Sequence, residues 1–328
     1  MQHAFGATLK CVRLYPAEID RPVLLVLRAL KLGDLLVAVP AIHGLRRAFP
    51  DHFLTLAMPG WLAPVIELVH GVDALLPTPG LDELLPVPAG AVDIAVNLHG
   101  NGEESRRIID HLGARLVIAH RSAGVDGPPW QDGLLERRRW VHLVNAFGAD
   151  AHEDDVGIAV PQVPSVQPGC VVIHVGAFYG SRKWPVERFA AVARALSGDG
   201  ETVVFTGSAA DEERARQVAT LAGVGHVLAG KLALDGFAAV VAAARLVVTA
   251  DTGAGHLASA YGRPSVVIFG PAPPEEWGPP PGGRHVVLTD ARVRKGDTFS
   301  EAPDPAMLAV SSTAVISAAR DLLVRFRT

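Results

Sequence analysis

The chain alternates short apolar runs with stretches whose apolar residues recur at helical spacing. In its first half, runs rich in Val, Leu and Ile lie at 23–28, 53–58, 92–98 and 115–120. The helical stretches that follow them cover 34–48, 61–69, 103–112 and 134–148. Strands that are apolar at every position are buried on both faces, which is typical of a parallel sheet covered by helices. The first half therefore predicts an α/β domain.

The pattern breaks at 150–168, where the chain is acidic at first and then rich in Pro and Val. We interpret this segment as a linker, because it lacks helical periodicity. Further apolar runs then follow at 170–175, 202–207, 226–230, 245–250 and 265–270. The alternation predicts two Rossmann-like, doubly wound domains, over 1–160 and 161–328. A final helix is expected over 305–326, and the sequence leaves open that it packs back on the N-terminal domain.

Composition narrows the functional classes. The 328 residues are 49% hydrophobic and carry a net charge of −4, so we expect no nucleic-acid partner. Cys11 and Cys170 have no metal-ligating or disulfide spacing, which fits a reducing cytoplasm. No apolar run reaches the ~18 residues of a membrane span. The first 20 residues lack the apolar core of a signal peptide, and we interpret them as a strand-like or frayed leader. We expect a cytoplasmic protein in at most peripheral contact with the inner face of the membrane.

The loop that begins with Asp251 is the first candidate site. It follows an apolar run and opens a helical stretch, where backbone N–H groups and the helix dipole favour an anion. Gly253 and Gly255 would let a ligand approach the backbone, Thr252 would donate a hydroxyl, and His256 lies about one turn further on. The alternative is that Asp251 or Thr252 only caps the helix and that His256 is a surface residue.

Asp34 is the candidate in the N-terminal half. Together with Gly33 it follows the run at 23–28 and opens the next helical stretch. A carboxylate exposed there can act as a general base. It can equally be a plain N-cap, because the helix dipole favours negative charge at this position. Should Asp34 only cap its helix, His43 and Glu103 are the next candidates for the base.

A basic loop follows the run at 170–175. It carries Ser181, Arg182 and Lys183 ahead of Pro185, which we expect at the first position of a helix. Lys183 would reach back over the strand ends, where phosphates lie in folds of this class. The alternative is that the Lys–Arg pair is merely solvated.

Acidic residues follow the run at 202–207. Asp211, Glu212 and Glu213 open the next helical stretch, where most of the acidity complements the helix dipole. One of these carboxylates could instead accept hydrogen bonds from a ribose diol.

Several motifs are absent from the sequence. No G-x-G-x-x-G follows the first apolar run and no Walker A motif occurs, which disfavours dinucleotide and P-loop chemistry. No G-x-S-x-G occurs either. Without a D-x-D motif, a metal-held sugar diphosphate is not indicated, and the chain's own cations and helix dipole would hold the phosphates. We therefore expect neither a metal nor a resident cofactor.

Four segments together resemble glycosyltransferase family 9, the ADP-heptose:lipopolysaccharide heptosyltransferases. They are GDLLVAVPAIHGLRRAFP (33–50), VDIAVNLHG (92–100), RKWPVERFAAVA (182–193) and ADTGAGHLASAYGRPSVVIFGPAPPEEWGP (250–279). The most specific elements are D-T-G-x-x-H-L-A-x-A, followed by a strand and F-G-P, and the earlier G-D-x-x-x-x-x-P-A. The resemblance runs in order over nearly the whole chain after about residue 20.

The resemblance implies a GT-B fold, in which two Rossmann-like domains face each other across a cleft. It also implies an inverting, metal-independent transfer of a heptose or related sugar from a nucleotide diphosphate sugar. In that scheme the nucleotide sugar is a co-substrate bound by the C-terminal domain. The N-terminal domain presents a hydroxyl acceptor, either a glycolipid such as the lipopolysaccharide core or a small natural product.

Individual positions match the family's pattern. Asp34 resembles its catalytic base, and Lys183 resembles its phosphate-binding lysine. The resemblance assigns donor binding to the remaining candidates: Ser181, Asp251, Thr252, Gly253 and His256, and Glu212 or Glu213 for the ribose.

Two other functions remain open from the sequence. GT-B architecture also serves nucleotide-sugar 2-epimerases, which need further acid–base groups in the cleft, for example His43, His99 and His174. The third hypothesis is a catalytically silent nucleotide-sugar-binding protein. The presence of both Asp34 and Lys183 argues against it.

Overall fold

The computed structural model describes residues 13–16 and 19–326. The chain divides into two compact units. One holds the residues up to Asp132 together with Arg137–Ala159, and the other holds Gly133–Glu136 and everything from Val160 onwards. Cys11 and most of the predicted leader lie outside the described residues.

The N-terminal unit is a parallel sheet with connecting helices. Its elements are β1 (Arg13–Leu14), β2 (Val23–Leu27), α1 (Leu32–Ala48), β3 (Phe53–Met58), α2 (Ala63–Ile66), β4 (Ala74–Pro77), β5 (Ile94–Asn97), α3 (Glu103–His111), β6 (Leu116–Ile118) and α4 (Glu136–Asn145). The strand order is β1-β4-β3-β2-β5-β6, and every pair is parallel. The order reverses between β2 and β5, so the loops after these two strands diverge at their carboxyl ends.

The C-terminal unit repeats this architecture. Its elements are β7 (Val171–His174), α5 (Val186–Gly198), β8 (Val203–Thr206), α6 (Glu212–Ala222), β9 (His226–Val227), α7 (Leu234–Ala242), β10 (Leu246–Ala250), α8 (Gly253–Ala260), β11 (Ser265–Ile268), α9 (Pro274–Trp277), β12 (His285–Leu288), α10 (Pro305–Leu308) and α11 (Ser312–Arg325). The parallel strands run in the order β12-β11-β10-β7-β8-β9, and the switch point lies between β7 and β10.

The predicted burial is confirmed for the central strands of both sheets, whereas β6 and β9 are only partly buried. All five residues of β2 and all five of β10 are buried, as are the four residues of β5, because helices cover both faces of each sheet. Trp184 lies fully buried against Phe189 at a ring distance of 4.8 Å, and its indole N–H donates to the carbonyl of Val310. Packing, rather than ligand stacking, therefore accounts for this tryptophan.

The elements differ from the sequence-based expectations in several places. Three short strands, β1, β4 and β12, are not among the predicted runs. Pro185 is the N-cap of α5 rather than its first residue. The expected helix over 305–326 is interrupted at 309–311. The sequence left open that this final helix packs on the N-terminal domain, but the buried face of α11 lies in the C-terminal core.

No helix of the described residues combines the length and apolarity that a transmembrane span requires.

Candidate functional site

The switch point of the C-terminal sheet brings two of the predicted loops side by side. The loop after β7 carries Lys183, and the loop after the adjacent strand β10 carries Thr252. Because parallel strands end at the same edge of a sheet, both loops lie where ligands bind in open α/β folds.

The loop after β10 starts the helix α8 in the manner of an anion-binding turn. Thr252 is the N-cap, and its Oγ1 accepts from the N–H of Ala254 at 3.4 Å and lies 3.0 Å from Thr249 Oγ1. The cap interpretation of Thr252 is therefore confirmed. It is compatible with ligand binding, because the first turn of a helix, which begins here at Gly253, presents N–H groups without intrahelical partners.

Gly255 lies in the first turn of α8, at the position predicted for it. It is buried, and a Cβ at this residue would lie 3.5 Å from side-chain atoms of Thr249 and Val267, which is an ordinary packing distance. Gly255 also lines the small pocket that contains Asp251 and Thr252.

Asp251 connects the two loops. Its side chain is only 5% exposed, and its Oδ2 lies 3.3 Å from Nη1 of Arg182, which also donates to the Asp251 carbonyl at 3.3 Å. Asp251 therefore holds the loop after β7 in place. The sequence assigned Asp251 to donor binding, and the structure makes it the buried end of an interloop ion pair.

His256 lines a narrow pocket beside this ion pair, together with Asp251, Thr252, Phe269 and Trp277. The pocket has about 10 Å³ of space, which is enough for roughly one water molecule and not for a sugar. A donor would therefore lie over the rim of this pocket, where half-buried His256 can reach it.

Lys183 is half-buried, and within the described part of the chain its ammonium group has no polar partner. It lies directly after the short turn Gly180–Arg182, whose geometry fixes its backbone through a 2.9 Å hydrogen bond to Gly180. A half-buried, unpartnered cation beside a helix N-terminus is well placed for an anionic ligand.

Ser181 corrects one prediction. It is fully buried, and its Oγ donates to the carbonyl of Thr298 at 2.6 Å. Its backbone N–H donates to Ser300 and its carbonyl accepts from Asp304. Ser181 therefore anchors the segment that follows β12, and no part of its side chain is accessible to a donor.

The two candidate ribose ligands are distinguished by where they point. Glu212 is one-third exposed and points toward Gly230 in the loop after β9. Its Oε2 lies 3.5 Å from the position that a Cβ atom on Gly230 would occupy. Glu213 is 73% exposed on the outer face of α6. Of the two, only Glu212 faces the carboxyl edge of the sheet. Neighbouring Asp211 accepts from the N–H and hydroxyl of Ser208 and so caps its own turn.

Asp34 lies at the corresponding place in the N-terminal unit, in the first turn of α1. Its Oδ2 accepts the backbone N–H of Lys31 at 3.1 Å, so it caps the helix as the simpler interpretation predicts. Its side chain is nevertheless 23% exposed, and its Oδ1 lies 3.8 Å from Nη2 of buried Arg28. The cap fixes the carboxylate, and the remaining exposure leaves it open to a substrate.

The alternative acid–base histidines lie in unlike surroundings. His43 is buried in α1, with its Nδ1 3.1 Å from Asp155 of the linker. His99 follows β5, close enough to Arg28 and Asp34 for their charges to affect it. Its pKa is lowered to about 4, mainly by burial and secondly by the positive charge of Arg28. His174 ends β7 and its Nδ1 lies 3.0 Å from Thr206 Oγ1, and burial lowers its pKa to about 4. Of the three, His99 is the one placed beside Asp34.

Sequence reasoning missed an aromatic cluster at the C-terminal edge. The ring of Tyr179 lies between those of Phe178 and Phe299, at centroid distances of 4.8 and 5.1 Å. Phe178 and Phe299 are 76% and 71% exposed. Two exposed rings and the half-buried ring of Tyr179 form a surface with apolar character near the basic loop. The only sequence signal was the Phe-Tyr pair that precedes Lys183.

No three His, Cys, Asp or Glu side chains come together as metal ligands anywhere in the described ranges. Cys170 is a buried free thiol whose pKa burial raises to about 11, so it is neither a thiolate nor a metal ligand at neutral pH.

Comparisons with known proteins identify the family of this chain. Residues 137–301 match the model of glycosyltransferase family 9 (heptosyltransferase). The chain is 24% identical to lipopolysaccharide heptosyltransferase 2 of Salmonella typhimurium, over 81% of this chain and 88% of that protein.

Solved structures show the same fold. The structure of E. coli ADP-heptose lps heptosyltransferase II is 20% identical and superposes with a TM-score of 0.75, over 93% of this chain and all of that one. The dodecameric iron-containing heptosyltransferase TibC, in complex with ADP-D-beta-D-heptose, gives a TM-score of 0.61 at 15% identity, over 97% of this chain and 78% of that one. The two parallel sheets of the present chain thus have the GT-B-type fold that the sequence predicted.

Proposed function

We propose a reaction for this chain from the premise that it belongs to glycosyltransferase family 9. In our proposal it transfers a heptose from ADP-heptose to a hydroxyl group of the lipopolysaccharide core, with inversion at the anomeric carbon and without a metal ion. The names of its relatives support the donor and the acceptor. Such a lipid-linked acceptor implies action at the cytoplasmic face of a membrane, with at most peripheral contact.

One observation carries the proposal: Lys183 and the N-terminus of α8 belong to the loops that follow two adjacent strands, β7 and β10, at the switch point of the C-terminal sheet. The N–H of Ala254 already donates to Thr252 Oγ1. A diphosphate there would therefore receive the N–H of Gly253, the Thr252 hydroxyl and the Lys183 ammonium. These groups also stabilise the charge that develops on the leaving diphosphate when the sugar is transferred. His256 adds a further hydrogen-bonding group at the same helix end.

The ribose would lie toward β8 and β9, where Glu212 faces the loop that contains Gly230. A carboxylate accepts hydrogen bonds from both hydroxyls of a ribose diol. This places the nucleoside on one side of the diphosphate and the sugar on the other.

Asp34 would act as the general base. The acceptor oxygen attacks the anomeric carbon while the bond from that carbon to the ADP oxygen breaks. The proton of the attacking hydroxyl passes to the Asp34 carboxylate, and the ADP leaves with the bonding electron pair. Attack opposite the leaving group inverts the anomeric configuration.

The iron of TibC raises the question whether this chain holds a metal. The described residues offer no cluster of three metal-ligating side chains, so the donor set does not fit an iron site. We therefore assign phosphate stabilisation to Lys183 and the N-terminus of α8.

Membership of a family of glycosyltransferases supports transfer over the other two functions that the sequence left open. His43, one of the three histidines considered for an epimerase, is buried and paired with the linker residue Asp155. A catalytically silent binding protein would need no base, and Asp34 remains accessible at the N-terminal switch point.

The proposal is tested by Asp34→Asn with ADP as a probe of the donor site. Asparagine keeps the oxygen that caps α1, so the fold and ADP affinity should be retained, while heptosyl transfer should fall roughly 10²–10⁴-fold. Asp93→Asn is the matched control, because Asp93 accepts the N–H of Val23 at the opposite edge of the same sheet and should leave transfer intact. Normal transfer by well-folded Asp34→Asn would remove Asp34 from the mechanism.

A further inference from the structure

Arg28 is the first residue after β2 and is only 1% exposed, although arginine side chains are almost never fully buried unless they are paired. A buried charge of this kind is costly unless it is paired and hydrogen-bonded. The groups that pair with the buried guanidinium therefore indicate the role of Arg28.

Arg28 makes polar contacts with both strands of the N-terminal switch point. Nε donates to the backbone carbonyl of Asp34 at 2.5 Å, and Nη2 lies 3.8 Å from the Asp34 carboxylate. Nη1 donates to the carbonyl of Leu98, the residue after β5. One guanidinium thus binds both the first turn of α1 and the end of β5, the strand adjacent to β2.

The other side of the guanidinium is held by an aromatic ring. Its central carbon lies 4.8 Å from the ring centroid of Trp140, which is fully buried in α4. The planar group is thereby confined between an indole ring and two carbonyls, and it cannot rotate away from Asp34.

We infer that Arg28 is a positioning residue for the Asp34 carboxylate, an inference that rests on the proposed role of Asp34 as the base. Arg28 lies at ion-pair distance from one carboxylate oxygen, while the Lys31 N–H donates a hydrogen bond to the other. The proton-accepting group is then already oriented before the acceptor binds, which is how a general base gains its effect.

The neighbouring imidazole fits the same arrangement. Burial is the main cause of the low pKa of His99, about 4, and the positive charge of Arg28 is the second. The negative charges of Asp34 and Glu104 raise this pKa, but by less. His99 therefore remains neutral beside Asp34 at neutral pH. A protonated imidazole at this place would compete with Arg28 for the carboxylate.

The test is a double-mutant cycle on heptosyl transfer with Arg28→Lys and Asp34→Asn, singly and together. Lysine keeps the charge but cannot make the three-way contact of the planar fork. We expect Arg28→Lys to lower kcat roughly tenfold to a hundredfold, with ADP affinity unchanged, because a charge-assisted contact is lost. In the Asp34→Asn background the same substitution should cost less than about twofold, because the group it positions is gone.

Arg46→Lys is the matched control. Arg46 also binds carbonyls and a carboxylate, Asp73, but in the last turn of α1. Its substitution should leave kcat unchanged. Should Arg28→Lys fail to fold, Trp140→Phe takes its place in the cycle, since phenylalanine preserves most of the packing and weakens the contact with the guanidinium.

The outcomes separate the two claims. Equal losses from Arg28→Lys in both backgrounds would overturn the positioning role while leaving Asp34 as the base. Full activity of Asp34→Asn would instead overturn the proposed function of Asp34, and with it the inference. A loss confined to the Asp34 background supports both.

Discussion

Nη1 of Arg182 lies 3.3 Å from the carboxylate of Asp251 and donates to its backbone carbonyl. The two residues belong to loops that follow adjacent strands, so a single side chain couples the turn before Lys183 to the turn before Thr252. The proposed phosphate site is therefore one connected unit, and a change at the buried Asp251 should reach Lys183.

Asp251→Asn removes the charge from this pair and keeps its shape. We expect the free energy of unfolding to fall by about 1–3 kcal/mol, because a partly buried hydrogen-bonded charge is lost. ADP affinity should fall as well, since the loop that carries Lys183 is no longer held. Urea denaturation and calorimetric titration with ADP measure the two effects.

The exposed pair of Arg320 and Asp199 provides the control for Asp251→Asn. Asp199→Asn should change neither stability nor ADP binding, because solvent screens an exposed pair. An Asp251→Asn variant that matches this control in both measurements would show that the interloop ion pair does not hold the site together.

Lys183→Ala should weaken ADP binding roughly tenfold to a hundredfold, which is the range for a charge-assisted hydrogen bond. Lys183→Arg should recover part of the affinity, because it restores the charge with a different geometry. His256→Ala should have a smaller effect in the same direction. Arg194→Ala is a charge-matched control. Arg194 is an exposed residue of α5 whose guanidinium donates to the carbonyl of Leu221 in α6. Equal affinities for Lys183→Ala and Arg194→Ala would make Lys183 a surface residue.

Glu212→Gln and Glu213→Gln form a pair of variants on adjacent residues of one helix. Glu212 faces the loop of Gly230 and Glu213 faces solvent, so only the first substitution should weaken ADP binding, by roughly twofold to tenfold. The two should bind 2′-deoxy-ADP equally, because that ligand lacks one of the hydroxyls Glu212 would contact. A larger effect from Glu213→Gln would reverse the assignment.

Acid should destabilise the chain through its buried histidines. The folded-state pKa of His174 is lowered to about 4, so between pH ~6.5 and 4 the unfolded state binds the proton and the folded state does not. Stability is therefore complete above pH ~6.5 and declines as the pH falls through this window. Because the ring is partly accessible, we expect a loss of about 1–2 kcal/mol from His174.

His174→Asn tests this pH dependence, since its amide can take the place of Nδ1 opposite Thr206. Urea denaturation at pH 7.5 and pH 5 should show a smaller loss for the variant than for the wild type. Some loss should remain, because the pKa of His99 is lowered in the same sense. An unchanged difference between the two pH values would mean that His174 is protonated in the folded state.

The sequence predicted the alternation of strands and helices well, because strands buried on both faces are apolar at every position. It also placed Lys183, Thr252 and Asp34 at the carboxyl ends of strands, since that placement depends only on the order of elements along the chain. Glycine is harder to interpret: Gly255 both packs against the sheet and lines the small pocket beside His256.

Long-range contacts could not be predicted in this way. Ser181 is buried because the segment containing Thr298 folds over it, and that irregular segment has no periodicity to indicate its course. Arg28 can bond to both Asp34 and Leu98 only because β2 and β5 are neighbours in the sheet. Sheet order of this kind cannot be read from the spacing of residues along the sequence.

The most direct test of the proposed function is transfer itself, with purified protein, ADP-heptose and a heptose-deficient lipopolysaccharide core in the presence of EDTA. Mass spectrometry of the acceptor reports the transfer, and NMR of the new linkage reports its anomeric configuration. We predict an acceptor with one added heptosyl residue, an inverted linkage and an equivalent amount of ADP, at the same rate with and without EDTA. Absence of transfer by folded protein that binds ADP, or transfer that stops with EDTA and returns with a divalent metal ion, would contradict the proposed reaction.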